Sequence, residues 1–175
     1  MERDTKLATF SVNDGADELG VVEGVRVISL SRAAPMFPTT MMGLIARWAA
    51  LERDARSIVK EQEFAHDLRA VHLKAPIPRP GKIMAIGLNY ADHVKETGAE
   101  TPKDQVWFCK QPTAVNGPFD PIQIPKASPM VDWEAEMVVI IGKGGRHIAK
   151  DRARDHVFGY CCGNDVSVRD WQKRT

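Results

Sequence analysis

The chain has 175 residues, 43% hydrophobic and 27% charged, with 24 Lys and Arg against 23 Asp and Glu. That balance suits a globular protein of one or two domains with a sizeable core. A formal charge of +1 gives no electrostatic case for nucleic acid or an anionic membrane surface, and no apolar run nears the roughly 20 residues a bilayer span requires. The opening MERDTKLATF holds no apolar stretch of the secretory type. Cys109 and the adjacent Cys161 and Cys162 form neither an even disulfide set nor a CxxC zinc pattern. A cytoplasmic, reduced setting is the expectation.

Between Leu7 and Leu30, the runs LATFSV, VVEG and VRVISL alternate with turn chemistry at Asn13-Asp14-Gly15 and Glu23-Gly24. This predicts a small antiparallel meander. From Thr39 to Glu63 the period changes. Met41, Leu44, Ile45, Trp48, Ala55, Ile58 and Val59 fall near i, i+3, i+4, i+7 spacing, which predicts a helix with Thr39 or Thr40 as its cap. Its Met and Trp stripe reads as core. The stretch KAPIPRPGK, from Lys74 to Lys82, has three prolines and one glycine in nine residues and can join neither a helix nor a central strand. It divides the chain into a small α/β unit, 1–75, and a mostly β unit, 76–175. In the latter, IMAIG (83–87), VWFC (106–109), IQIP (122–125), EMVVIIG (136–142) and VFGYCCGND (157–165) are strand candidates. The fold class is α+β.

Three constellations carry chemistry. In Asp132-Trp133-Glu134-Ala135-Glu136, strand alternation puts Glu134 and Glu136 side by side. Two neighbouring carboxylates repel, and either a raised pKa or a hard divalent cation relieves them; a solvated edge-strand face is the alternative. Asp165, first acid after FGYCC, can be a third oxygen ligand, or Asp165 or Ser167 can cap the next helix. In GLNYADHVKE, Asn89 can cap a short helix on which His93 and Glu96 lie at i and i+3. The carboxylate would orient the imidazole as a general base, although such pairs are common on exposed helices. His66, His72, His147 and His156 show no comparable acid partner and read as structural.

GLNYADHVKE, FCKQPTAVNGPFDPIQIP, DWEAEMVVIIGK and HVFGYCCGNDVSVRDWQ occur together in an order and spacing that resembles the fumarylacetoacetate hydrolase family, over about Gly81 to Gln172. The resemblance implies a mixed, mostly β roll, preceded by a variable small α/β domain, around Mg²⁺ or Mn²⁺, with Ca²⁺ in some members. It assigns the metal to Glu134, Glu136 and Asp165, which should converge on one point. It assigns catalysis to His93 and Glu96 on a lid-like segment, and substrate binding to Arg169, Gln172 and Lys110. The implied activity is hydrolysis of a carbon–carbon bond in acylpyruvate- or fumarylacetoacetate-type 2-oxo acids through a metal-held enolate. Isomerase or decarboxylase activity within the family, a truncated non-catalytic metal-binding paralogue and a metal-free binding module are the rivals. The bacterial branch of 2-hydroxyhepta-2,4-diene-1,7-dioate isomerases, acylpyruvases and ureidoglycolate lyases is the most similar. A small-molecule 2-oxo acid and a second copy of the chain are the expected partners. The family's later G-K-x-F-D segment, which completes the anion site, does not occur in these 175 residues, so the expectation is a fragment or a truncated product.

Overall fold

The computed structural model describes residues 5–60, 63–92, 95, 98, 100–172 and 174. The meander forms as expected from β1 (Lys6–Ser11), β2 (Glu18–Glu23) and β3 (Arg26–Ser29). Asn13 and Asp14 take φ of 49° and 55° in the first turn, and Gly24 takes 60° in the second. Those left-handed values are the ones Asn, Asp and Gly tolerate best. Two further strands, β4 (Ala65–Asp67) and β5 (His72–Leu73), complete an antiparallel sheet of order β4-β3-β2-β1-β5.

A single turn, α1 (Leu30–Ala33), precedes α2 (Met41–Ile58). Thr40 is the cap, its hydroxyl accepting from the Gly43 N–H at 3.2 Å. The helix stops short of Glu63. Near its end the Ser57 hydroxyl donates to the Asp54 carbonyl at 2.8 Å, a local bond that competes with continued helix. Met41, Leu44, Leu51, Ala55 and Ile58 are buried against Leu19, Val21, Ile28 and Leu30 of the sheet and its flank. The other face of the sheet buries Ala8, Phe10 and Val27. The strict alternation of Val27 and Ile28 between the two clusters is the strand period made visible.

Beyond Lys74 the chain forms three two-stranded antiparallel pairs. These are β6 (Ile83–Gly87) with β7 (Val106–Lys110), β8 (Val131–Asp132) with β11 (Ser167–Val168), and β9 (Ala135–Ile141) with β10 (Val157–Asn164). The short α3 (Arg169–Gln172) follows β11. The architecture is mixed α+β, as the pattern predicts. IQIP is a correction: residues 122–125 form no strand. Pro121 and Pro125 bound them and remove ladder donors at both ends.

Several contacts join the halves, among them the Thr9 hydroxyl donating to the Pro76 carbonyl at 2.8 Å. The Trp48 ring of α2 meets Phe158 of β10 edge-on, centroids 5.6 Å apart. His72 of β5 lies 2.5 Å from an Asp120 oxygen through Nε2, while the Lys74 ammonium lies 3.0 Å from its Nδ1. His72 therefore does have an acid partner, 48 residues away, beyond the reach of local pattern.

Candidate functional site

The register of β9 on β10 brings the acidic motifs together. Glu136 faces Gly163 and Ala135 faces Asn164. Past the last pair, the Asp165 N–H donates to the Glu134 carbonyl at 2.8 Å. The Asn164 side-chain oxygen accepts from the Glu134 N–H at 2.9 Å. Glu134, Glu136 and Asp165 are all half-buried. Gly163 lies opposite Glu136 in tight space, where a methyl group would come within 2.7 Å of Val138 Cγ2. The Glu136 carboxyl is raised above its ordinary value, first by burial, then by the charges of Glu134 and Asp165. The three acids thus share one electrostatic neighbourhood.

Two cations sit among them. Lys110, at the end of β7, forms an ion pair with Asp165 and donates to the Val166 carbonyl at 3.1 Å. Arg169, at the start of α3, forms an ion pair with Glu134 and another with Asp132 at 2.8 Å, and its Nη1 reaches the Gln172 side-chain oxygen at 3.1 Å. Burial opposes the charge on Arg169, but the hydrogen bonds it donates to Asp132 and Glu134 outweigh burial and raise its pKa. Lys110 and Arg169 therefore stand beside the acids, and Gln172 beside Arg169. His93 and Glu96 lie outside the described residues. Just before them, the Tyr90 hydroxyl donates to the Ala135 carbonyl at 3.1 Å, between the two glutamates.

Among the described residues, no three His, Cys, Asp or Glu side chains are gathered closely enough to hold a metal ion. The expected convergence of Glu134, Glu136 and Asp165 on one point is not formed. Lys110 draws Asp165 to itself and Arg169 draws Glu134, so that two single charges offset the acids. The donor set still fits a hard divalent cation in its chemistry. It offers three carboxylates from two adjacent strand ends, one of them with a proton affinity raised by the others. Asp132, Asn164 and Tyr90 are the supporting residues that the sequence did not single out. Their partners lie 37, 30 and 45 positions away.

The profile described as fumarylacetoacetate (FAA) hydrolase C-terminal matches residues 82–175. The mitochondrial oxaloacetate tautomerase of Xenopus laevis is 38% identical over 172 residues, covering 97% of this chain and 54% of that protein. A human mitochondrial oxaloacetate tautomerase is 38% identical over 151 residues, covering 86% of this chain and 48% of its own. Among solved structures, the maleylpyruvate hydrolase of Sphingobium sp. SYK-6, in complex with manganese(II) and pyruvate, superposes with a TM-score of 0.77 at 32% identity. That match covers 93% of this chain and 59% of the other. The fumarylacetoacetate hydrolase of Exiguobacterium antarcticum gives 0.76 at 34%, covering 97% and 58%. The chain spans about half the length of the curated relatives it matches.

Proposed function

This chain belongs to the fumarylacetoacetate hydrolase family, and from that premise we propose that the whole protein is a divalent-cation-dependent enzyme acting on a 2-oxo acid. The observation that carries the reading is the β9–β10 register, which sets Glu134 and Glu136 at the strand end next to Asp165, with Lys110 paired to Asp165 and Arg169 to Glu134. The three acids would hold Mg²⁺ or Mn²⁺; manganese(II) and pyruvate in the Sphingobium relative support that choice. When bound, the cation supplies Lewis-acid polarisation of a keto oxygen.

The chain's own residues do the rest. Arg169 and Gln172 would bind the substrate carboxylate and the oxyanion that develops, and Lys110 lends a second positive charge. His93, oriented by Glu96, would take a proton from water. The hydroxide adds to the distal carbonyl of an acylpyruvate, and the carbon–carbon bond breaks. The electron pair goes to the 2-oxo fragment as its enolate, which is then protonated at carbon to give pyruvate. A second reading is keto–enol tautomerisation of a 2-oxo diacid, in which His93 moves a proton at the carbon beside the ketone. The names of the Xenopus and human relatives favour it.

A panel of acylpyruvates and oxaloacetate, assayed on the full-length protein with Mg²⁺ and with Mn²⁺, separates these. The expected result is acylpyruvate cleavage that a chelator abolishes and that His93→Ala lowers by about 10²- to 10⁴-fold. Oxaloacetate tautomerisation without cleavage would select the second reading. Turnover indifferent to the chelator would overturn both.

A further inference from the structure

We propose that Asp132 is a positioning residue that holds two of the three guanidinium nitrogens of Arg169, so that the third faces the anionic end of a 2-oxo acid. The inference deepens the reading of the site given above and rests on it.

Arg169 Nε and Nη2 both donate to Asp132 Oδ2, at 2.9 and 2.8 Å. Asp132 is itself held: its Oδ1 accepts from the Trp133 N–H at 2.9 Å. The main chain repeats the connection. Ser167 pairs with Asp132 and Val168 with Val131, and the Arg169 N–H donates to the Met130 carbonyl at 2.9 Å. Ser128, the one buried residue among those described after Ile58, donates to Asp170 at 2.7 Å and accepts from the Met130 N–H at 3.1 Å. The 128–132 segment is therefore laced to the 167–170 segment on both sides of Arg169.

Only Nη1 points elsewhere, to Glu134 and Gln172. An arriving carboxylate can take Nη1 from Glu134 while Asp132 keeps Nε and Nη2. The guanidinium then stays where it is, and Glu134 is released from its ion pair. Without Asp132, the planar fork would turn its paired nitrogens onto Glu134, the remaining carboxylate within reach. That would both misplace Arg169 and occupy Glu134. Pre-holding the side chain also lowers the ordering cost of binding. With Arg169 23% exposed and Asp132 47% exposed, the effect is moderate.

The test measures pyruvate binding in MnCl₂, KM and kcat for an acylpyruvate or oxaloacetate, and the NMR signal of the Arg169 Nε–H. Asp132→Asn should weaken pyruvate binding about three- to tenfold, raise KM more than it lowers kcat, and make the Nε–H exchange freely with water. Asp132→Glu should recover part of the loss. In an Arg169→Lys background, Asp132→Asn should add nothing, because Lys has no fork to hold. If Arg169→Ala weakens pyruvate binding while Asp132→Asn changes neither KM nor the Nε–H signal, the inference is overturned and the reading of the site stands. Equal losses from Asp132→Asn in the Arg169 and Arg169→Lys backgrounds mean a merely structural role and also overturn it. If Arg169→Ala leaves pyruvate binding unchanged, the reading of the site falls and the inference falls with it.

Discussion

The two halves of the chain are built on opposite principles. The five-stranded sheet, α1, α2 and the loop between the two helices hold every buried hydrophobic residue among those described, from Ala8 to Ile58. The hairpins beyond Lys74 leave Trp107, Met137, Val139, Ile141 and Tyr160 exposed, at 41 to 68%. Their strands are joined by ladder bonds, and by ion pairs around Glu134 and Asp165. Within this span, about half the length of its relatives, the first half removes apolar area from water, whereas the second is joined by directional polar contacts and presents apolar side chains. The proposed site lies in the second, where half-buried acids and cations form ion pairs that can exchange partners. A fully buried carboxylate could not do so without neutralising.

The comparison breaks most readily at the core of the first half. Phe10, fully buried, should cost about 3–5 kcal/mol as Phe10→Ala in equilibrium unfolding. Next is Gly20→Ala. A methyl group there would strike Val27 Cγ2 and come within 2.9 Å of the Ile28 carbonyl and the Phe10 ring, so a loss of about 1–3 kcal/mol by denaturant titration is expected. Thr40→Ala removes the α2 cap and should cost about 1 kcal/mol in the same measurement. By contrast, Met137→Ala, on a side chain 68% exposed, should stay within about 0.5 kcal/mol. A larger loss would show that the second half hides a core of its own.

The smallest effect sharpens the seam between the halves. Asp120 is held below the ordinary carboxylate value, chiefly by its hydrogen bond with His72. A carboxyl whose folded pKa is depressed adds stability above its unfolded value. That stability disappears as the pH falls through the folded value. Melting temperature should therefore drop more steeply below about pH 4 in the parent than in Asp120→Asn. Parallel curves would remove Asp120 from the account.

The meander, α2 and four of the five strand candidates were legible because their signals are local: β-branched runs, turn residues, and a change from period 2 to period 3.6. IQIP carries the same apolar alternation, but Pro121 and Pro125 deny it ladder donors at both ends. The acids and cations of the site were legible as motifs. Their supports were not, since Asp132, Asn164 and Tyr90 meet their partners through sheet register across 30 or more positions. The ion pairs that keep the three acids from one point were equally invisible. They depend on Lys110 and Arg169 arriving from separate elements, the end of β7 and the start of α3.

The central claim is that Glu134, Glu136 and Asp165 together serve one divalent cation, and Mn²⁺ titration followed by electron paramagnetic resonance tests it most directly. The parent chain should bind one Mn²⁺, and Glu136→Ala should bind it at least about tenfold more weakly, as loss of one of three charged oxygen ligands requires. Equal affinity in the parent and in Glu136→Ala would contradict the account.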